Sequence, residues 1–299
     1  MMSAEMSDAS EERPGEPQGA RSRGRSRGGR ERLARLAALA ATALLVAFLA
    51  LPFLALLLRV SPAQLLARLS GPVVLEALRV SLLTSIAATG IVLVLGLPVA
   101  YLLATRDFPG KRVVEVLVDL PMVLPPTVAG FALLMAFGRA GLAGRSLGAL
   151  GVSLPFTTAG VVIAQVFMSV PFLIGPARAG FSGVDRRLLD AALTLRAPEG
   201  FRFLHVSLPL AMPSIVAGAA MSCARALGEF GATITFAGNL PGTTQTMPLA
   251  VYVALQSDLD AAVTLSVLLL LMAFGLLLGL RAAPAGWFWG RARAVGPAR

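Results

Sequence analysis

The sequence predicts an all-α integral membrane protein with six membrane-spanning helices. Of the 299 residues, 56% are hydrophobic and only 14% are charged, whereas soluble domains carry about 25% charged residues. The hydrophobic residues occur in long blocks, and about 20 apolar residues are the length that a helix needs to cross the hydrocarbon core. The six predicted spans cover residues 36–58, 80–104, 114–137, 158–177, 211–236 and 261–280.

The N-terminal tail, residues 1–31, is rich in Ser, Glu, Gly and Pro and is predicted to be disordered. An arginine cluster joins it to the first span: Arg21, Arg23, Arg25, Arg27, Arg30, Arg32 and Arg35. Such a run binds nucleic acid or anionic lipid, or it anchors the first membrane helix on the cytoplasmic side. Because it leads directly into an apolar span too long for a cleaved signal peptide, we interpret it as an anchor and expect no nucleic-acid partner.

Basic residues lie mostly on one side of the predicted spans. They occur in the tail, in the turn "TRDFPGKR", in the 178–208 region and after the last span. The loop between the last two spans has no Lys or Arg, and its charged residues are Asp258 and Asp260. The positive-inside rule then places both termini in the cytoplasm. A few arginines oppose this pattern weakly: Arg59, Arg68, Arg79, Arg139 and Arg145. The predicted membrane domain covers residues 32–281, and a cytoplasmic tail follows at 282–299.

A charged segment between the fourth and fifth spans, the 182–209 loop, interrupts the apolar sequence. Ser182, with Asp185 three residues later, approximates a capping box for a first short helix. Leu188, Ala192 and Leu195 then recur at helical spacing and give that helix an apolar face. Pro198 suits the first position of a second short helix, which is expected to end at Leu208–Pro209. Two helices with a bend between them form a surface suited to docking.

The stretch "DAALTLRAPEGFRFLHVSLPL" resembles the EAA loop of ABC-importer permeases. That pattern is Glu-Ala-Ala, three residues, Gly, and a later Leu-Pro; Asp190 stands for Glu, and Arg196 takes the place of Gly. An Arg is expected to make the turn without the positive φ that Gly allows, using the restriction that Pro198 imposes. The resemblance implies that the loop docks on an ATPase subunit. The implied coupling residues are Asp190, Ala191, Ala192, Leu195, Arg196, Pro198, Leu208 and Pro209.

Two further stretches resemble permeases for tetrahedral oxyanions. They are "LPMVLPPTVAGF" and "ARALGEFGATITFAGNLPGTTQTMPLAVY", the second of which is closest in type to the molybdate branch. The resemblance covers about residues 75–280. It implies a type I permease of the bacterial inner membrane, present as a homodimer with two cytoplasmic ATPases and an extracytoplasmic molybdate-binding protein. Sulfate and tungstate importers are the alternatives.

The chain itself carries no signal for ATP hydrolysis. A P-loop needs Gly-Lys followed by Ser or Thr, but Lys111 is the only lysine and Arg112 follows it. We therefore expect a transporter subunit, not an enzyme, with hydrolysis in a partner. Cys223 is the only cysteine, and it excludes an intrachain disulfide and disfavours a metal site; no cofactor is expected. His205 is expected to be an ordinary loop residue.

Ionisable and polar residues within the later spans are candidates for a translocation route. Arg225 and Glu229 lie four residues apart in an apolar span, so on a helix they share a face and can pair. Either they pair structurally or they line the route. An unpaired Glu229 would suit an ion-gradient-driven secondary transporter, the alternative class of function. The other route candidates are Thr127, Asn239, Thr243 and Thr244, for which ordinary helix kinks and a loop are the alternative interpretation.

A row of small residues accompanies the same span. Ala220, Ala224, Gly228 and Ala232 recur every fourth residue and predict one narrow face. Small residues let helix backbones approach closely, so this face is expected to serve helix packing.

Overall fold

A computed structural model describes residues 20–69 and 71–282, and the regular structure in these ranges is helical. The helices follow one another along the chain with short connections. In order they are α1 (Ala20–Arg59), α2 (Pro62–Leu69), α3 (Pro72–Thr105), α4 (Lys111–Val123), α5 (Pro126–Phe137), α6 (Gly144–Ala149), α7 (Thr158–Ser182), α8 (Arg186–Thr194), α9 (Glu199–Arg202), a π-helical turn (Phe203–Ser207), α10 (Leu208–Leu227), α11 (Gly231–Phe236), α12 (Met247–Ser257) and α13 (Leu259–Ala282).

Within the described residues, five stretches are long and apolar enough to cross a membrane. They are Arg32–Arg59, Pro72–Thr105, Thr158–Ser182, Glu199–Leu227 and Leu259–Gly279. These stretches confirm an all-helical membrane architecture and match the first, second, fourth and sixth predicted spans closely. The third and fifth predicted spans differ from the prediction, because each contains a break.

The predicted third span, 114–137, is not one continuous helix. Helix α4 ends at Val123 and α5 begins at Pro126, with Leu124 and Pro125 in extended conformations between them. Consecutive prolines explain the break, because proline donates no backbone hydrogen bond and pushes the preceding residue away from helical angles. Neither half is long enough to span a bilayer alone.

The predicted fifth span, 211–236, is also divided. Helix α10 ends at Leu227, residues 228–230 are not helical, and α11 starts at Gly231. The small residues predicted to share one face are therefore split between two helices. Ala220 and Ala232 are buried, whereas Gly228 is exposed at the break, so the predicted single face is wrong.

Helix α7 lies between α3 and α10 and shares a core with both. The buried residues of this core come from all three helices: Ala100, Leu103, Ile174, Ala177, Phe181, Ala211 and Ile215. Helices α7 and α10 run antiparallel, because Gly180 lies against Ser214 while Gly218 lies against Leu173. A Cβ on Gly218 would be 3.1 Å from the Leu173 carbonyl oxygen, so small residues permit this close crossing.

Helix α1 belongs to a separate unit from the rest of the chain, with the division at Leu58. It begins at Ala20, so the predicted start of the membrane domain at residue 32 lies inside this helix. Its described side chains, from Arg32 on, are almost all exposed, as expected for a helix surrounded by lipid. Residues 1–19 of the predicted tail and residues 283–299 of the C-terminal tail lie outside the described ranges.

Candidate coupling loop and translocation route

The first helix of the 182–209 loop is capped by Asp185. The Arg187 N–H donates a hydrogen bond to Asp185 Oδ1 at 2.9 Å, which satisfies one of the free amides at the start of α8. The predicted cap at Ser182 is wrong, because Ser182 is the last residue of α7 and Gly183 follows it as the C-cap. The loop therefore starts three residues later than the capping-box pattern indicates.

Helix α8 ends at Thr194, and two residues later Arg196 adopts the left-handed conformation with φ +54°. The Arg196 N–H donates to Leu193 O at 2.8 Å, and the Ala197 N–H donates to Ala192 O at 3.0 Å. These two bonds define a Schellman motif, which usually places glycine where Arg196 stands. The expectation that Arg196 avoids positive φ is wrong: the arginine makes the turn itself and accepts the steric cost.

The predicted coupling residues form a largely exposed surface. Leu195 is 83% exposed, although leucine is an apolar residue, and α8 contains no buried residue. Ala192 and Leu208 are half-buried, whereas the remaining predicted coupling residues are exposed: Asp190, Ala191, Leu195, Arg196, Pro198 and Pro209. Because Leu188 and Leu193 are also about half exposed, α8 presents apolar side chains outward as a docking surface would.

The second part of the loop is continuous with the following span. Pro198 is the N-cap of α9 and not its first helical residue, and the helix continues through the π-helical turn into α10. The second helix runs to Leu208, where α10 begins, in agreement with the prediction that the next span begins at Leu208–Pro209. In the π-helical turn the Leu208 N–H donates to Phe203 O. The wider turn accommodates Pro209, whose ring would crowd a carbonyl in a regular helix.

An aromatic cluster packs the 182–209 loop against the helix bundle. The Tyr101 ring lies 4.8 Å from Phe203 and 5.3 Å from Phe181, in both cases edge to face. These rings come from α3, α7 and the π-helical turn, so they join both ends of the loop to the helix bundle. Sequence reasoning missed this cluster, although Phe181 directly precedes the loop and Phe203 lies in its second half. His205, expected to be an ordinary loop residue, stacks on Phe201 with 4.1 Å between ring centroids.

The turn after α3 is tied to the loop by an ion pair. Arg106 Nη2 donates to Glu199 Oε1 at 2.7 Å. The hydrogen bond and charge of Glu199 raise the pKa of the Arg106 guanidinium above its usual value. In the same turn, the hydrogen bond and charge of Lys111 hold the pKa of Asp107 below its usual value. The turn and the loop therefore form one charged surface around the start of α9.

A second ion pair joins α4 and α7. Arg178 Nη2 lies 2.8 Å from Glu115 Oε1, beside a cavity of about 290 Å³ that is also lined by Asp119 and Ser182. Arg178, which the sequence placed in the loop, is instead part of α7. This pair connects the first half of a broken helix to the central helix of the bundle.

Arg225 and Glu229 form an ion pair across the end of α10. Arg225 Nη1 lies 2.6 Å from Glu229 Oε2, and the Ala232 N–H donates to Glu229 Oε1 at 2.7 Å. The carboxylate thus caps the start of α11 and neutralises the arginine at the same time. Because Glu229 is paired with Arg225, it is not the unpaired acid that an ion-gradient-driven transporter would need.

The break before α5 lies directly against the break before α11. A Cβ on Gly231 would be 2.7 Å from Pro126 Cβ, and a Cβ on Gly130 would be 2.7 Å from Ala232 O. Glycine at both positions lets the two short helices touch through their backbones. Thr127 lies at this junction with its side chain exposed. Irregular backbone at membrane depth is tolerated in buried positions or beside a water-filled cavity.

The remaining route candidates lie in the loop between α11 and α12. Thr244 is buried, and its hydroxyl oxygen accepts a hydrogen bond from the Leu240 N–H at 2.8 Å. The Thr158 hydroxyl donates to Thr243 O at 2.9 Å, while the Thr243 side chain is exposed. Asn239 is half-buried, with no hydrogen-bond partner for Oδ1 in the described residues. Thr244 therefore holds the loop together, Thr243 exposes its side chain, and Asn239 Oδ1 is buried.

Buried polar side chains near the end of α10 were missed by sequence reasoning. Gln165 on α7 is fully buried, and both its amide atoms lack a hydrogen-bond partner in the described part of the chain. The hydroxyls of Ser222 and Thr233 are buried in the same unsatisfied state. A glutamine within an apolar span was the available signal. The interior beside the Arg225–Glu229 pair is thus more polar than the span's composition suggested.

The described residues contain no group of three or more His, Cys, Asp or Glu side chains that could hold a metal ion. Cys223 is free and buried in α10, where it packs as a small side chain.

Comparisons with known proteins point to one family. Residues 93–282 match the family described as "Binding-protein-dependent transport system inner membrane component". The chain is 44% identical over 241 residues to "Molybdenum transport system permease protein ModB" of Mycobacterium tuberculosis, covering 79% of this chain and 90% of the relative. It is 38% identical over 252 residues to "Molybdate/tungstate transport system permease protein WtpB" of Thermococcus kodakarensis, covering 84% and 94% of the two chains.

A solved structure shares the fold at low sequence identity. It is titled "Crystal structure of bacterial alginate ABC transporter in complex with alginate pentasaccharide-bound periplasmic protein". The TM-score is 0.66 at 14% identity, covering 87% of this chain and 96% of the other. The likeness supports the helical architecture.

Proposed function

Because this chain belongs to the family of binding-protein-dependent transport system inner membrane components, we propose that it is the permease subunit of an ABC importer for molybdate. As a member of this family it is a multi-pass inner-membrane transport subunit and not an enzyme. The single observation that carries the substrate is the 44% identity with a molybdenum transport permease over 90% of that protein's length.

The partners follow from the same proposal. Two copies of this chain assemble with two cytoplasmic ATPase subunits and receive molybdate from an extracytoplasmic binding protein. The exposed apolar surface of α8 supports ATPase docking, because apolar side chains on a charged loop are stabilised when a partner covers them. Coupling residues Asp190, Ala191 and Leu195 lie on this surface.

The proposed topology keeps six crossings with both termini in the cytoplasm. Helices α4 and α5 together make the third crossing, and α10 continues through the break into α11 in the fifth. Domain limits at residues 32 and 281 remain part of this proposal. In alternating access, the two copies then separate and approach each other around a shared route, and ATP binding to the partner subunits drives this motion through the 182–209 loops.

The proposed route runs past the junction of the two broken helices. Discontinuous helices often surround the substrate in transporters, because their free backbone groups line a cavity. Thr127, Arg225 and Glu229 lie at this junction, and Asn239, Thr243 and Thr244 follow in the next loop. These positions provide a cation and neutral polar groups for a tetrahedral dianion.

Competition in proteoliposomes tests the substrate. Vesicles that contain this chain, its ATPase and internal ATP are supplied with binding protein and radiolabelled molybdate, and unlabelled oxyanions are added in excess. We expect molybdate to compete fully and sulfate to compete weakly. Tungstate is included because the relative WtpB is named for both ions. No uptake of labelled molybdate, or stronger inhibition by sulfate than by unlabelled molybdate at equal concentration, would exclude a molybdate importer.

A further inference from the structure

The ion pair at the break between α10 and α11 is buried unequally. The Glu229 side chain is 1% exposed, whereas the Arg225 side chain is 23% exposed. Oε1 of the carboxylate accepts a hydrogen bond from the Ala232 N–H, whereas Oε2 lies 2.6 Å from Arg225 Nη1 in an ion pair that lacks hydrogen-bond geometry. Arginine offers five N–H donors, and Glu229 is the one ion-pair partner of Arg225 among the described residues. The guanidinium therefore retains donors on its exposed side.

That exposed side belongs to a face of α10 which the protomer leaves open. Pro213, Ala217, Met221 and Gly228 are exposed at helical spacing along it, and Arg225 lies between the last two. Arg225 lies 17 residues after Leu208 and two before the end of α10, or about 25 Å along a helix, so it lies inside the apolar stretch beside the helix break. A guanidinium within such a stretch faces a bundle interior or a water-filled cavity and not lipid.

The second helix break lies against α11, the helix that follows Arg225 and Glu229 in the chain. Gly231 lies against Pro126 and Thr127, and the Thr127 side chain is exposed. In the first turn of α5 the Thr127 N–H has no intrahelical acceptor. The two helix breaks thus lie against each other, and Thr127 and Gly228, three residues after Arg225, are both exposed.

We propose that Arg225 contacts the oxyanion as it passes, and that Glu229 is a positioning residue that also limits the strength of this contact. This inference rests on the proposed function, because it names the residue that meets the proposed substrate. The planar guanidinium donates two parallel hydrogen bonds to two oxygens of a tetrahedral oxyanion.

Glu229 has two consequences for the passing ion. Its carboxylate fixes the guanidinium at the break, because the same group caps α11. Its negative charge also reduces the attraction of Arg225 for a dianion. A translocation route must bind its ion strongly enough to admit it and weakly enough to release it. An arginine whose charge is partly compensated by Glu229 meets both conditions.

The test separates contact with the ion from a structural ion pair. The neutral double variant Arg225→Gln/Glu229→Gln removes both charges, so no uncompensated charge remains, and replacing a buried pair is often nearly neutral for stability. Glu115→Gln/Arg178→Gln is the matched control, since it neutralises the other ion pair, between α4 and α7. Both variants are reconstituted with the ATPase, and radiolabelled molybdate accumulated per ATP hydrolysed is measured with loaded binding protein.

We expect the Arg225 double variant to accumulate at least about tenfold less molybdate per ATP than wild type, because it loses one bidentate ionic contact with the ion. The control variant should stay within about twofold of wild type. Arg225→Lys, which keeps the charge without the planar fork, should lose roughly threefold or more. If the double variant does not assemble, Arg225→Lys decides the question, and a wild-type ratio overturns the proposal.

Equilibrium binding gives the second readout. Radiolabelled molybdate is titrated onto the detergent-solubilised permease–ATPase complex without binding protein. Glu229→Gln should bind molybdate about tenfold more tightly than wild type, because the substitution removes a negative charge that repels the dianion; a repulsion equivalent to roughly one pKa unit corresponds to a tenfold change in affinity. The Arg225 double variant should bind molybdate more weakly than wild type. Unchanged binding in both variants, or wild-type transport by the double variant, overturns the proposal. If wild type itself accumulates no molybdate, the proposed function fails and this inference fails with it.

Discussion

Arg106 Nη2 lies 2.7 Å from Glu199 Oε1 and so joins the end of α3 to the 182–209 loop. The two residues are 93 positions apart in the sequence, and both side chains are about half exposed. The pair fixes where the second half of the loop starts relative to the bundle. It is a long-range contact that the spacing of charges in the sequence does not indicate.

Exchanging the two charges tests whether this pair positions the loop. Exposed ion pairs contribute about 0.2–1 kcal/mol, so Arg106→Glu and Glu199→Arg should each reduce ATP-driven uptake by roughly two- to fivefold, since like charges then face each other. The double exchange should restore uptake to near the wild-type level. Failure of the double exchange to recover any activity, with normal membrane insertion, would show that the pair has no positioning role.

Replacing Arg196 by glycine should stabilise the loop. Arg196 adopts φ +54°, which costs an L-residue about 1–2 kcal/mol and glycine almost nothing. Arg196→Gly should therefore keep ATPase co-purification and raise the thermal stability of the complex slightly. Arg196→Val, a β-branched side chain, should lower both. Equal stability of the glycine and valine variants would contradict the strained turn.

Bulk on the outer surface of α8 should separate docking from folding. Ala191 is exposed, so Ala191→Trp should leave the subunit inserted and dimeric but should weaken ATPase co-purification and abolish uptake. Asp190→Lys should act similarly, because it reverses a charge at the contact. Leu142→Trp is the control, since Leu142 is 93% exposed but lies outside the 182–209 loop. Wild-type uptake by Ala191→Trp would remove α8 from the coupling contact.

The contact between α5 and α11 should tolerate no side chain. A Cβ on Gly130 would be 2.7 Å from the Ala232 carbonyl oxygen, and backbone atoms cannot yield as a flexible side chain does. Gly130→Ala should cost about 1–3 kcal/mol, measured as a lower unfolding temperature of the purified subunit. Gly275→Ala is the matched control, because a Cβ there meets nothing within 4 Å. Similar unfolding temperatures for both variants would mean that the two broken helices are not in close contact.

The predictable part of the fold was the part set by local composition. Long apolar blocks identified the spans near α3, α7 and α13, and helical spacing identified α8, because both signals depend on neighbours in the chain. The breaks between α4 and α5 and between α10 and α11 were harder to predict. Pro125 and Pro126 were visible in the sequence as an interruption, but the end of α10 at Leu227 depends on Glu229 capping α11, a local choice that an apolar pattern hides.

Parts of the candidate site that depend on tertiary contacts were not predictable. The i, i+4 spacing indicated the Arg225–Glu229 pair, and the structure contains it. Nothing in the sequence indicated that Gly231 would lie against Pro126, or that Tyr101 would meet Phe203. The positive φ of Arg196 was also missed, because the sequence suggested that an arginine would avoid a conformation which the Schellman hydrogen bonds in fact stabilise.

The central claim is that this chain moves molybdate only as a partner of a separate ATPase. The most direct measurement is accumulation of radiolabelled molybdate by vesicles that differ only in whether they contain the ATPase, with binding protein outside and ATP inside. We expect accumulation with the ATPase, and neither accumulation nor ATP hydrolysis from this chain alone. Accumulation by this chain alone under a proton gradient, or ATP hydrolysis by the isolated chain, would contradict the account.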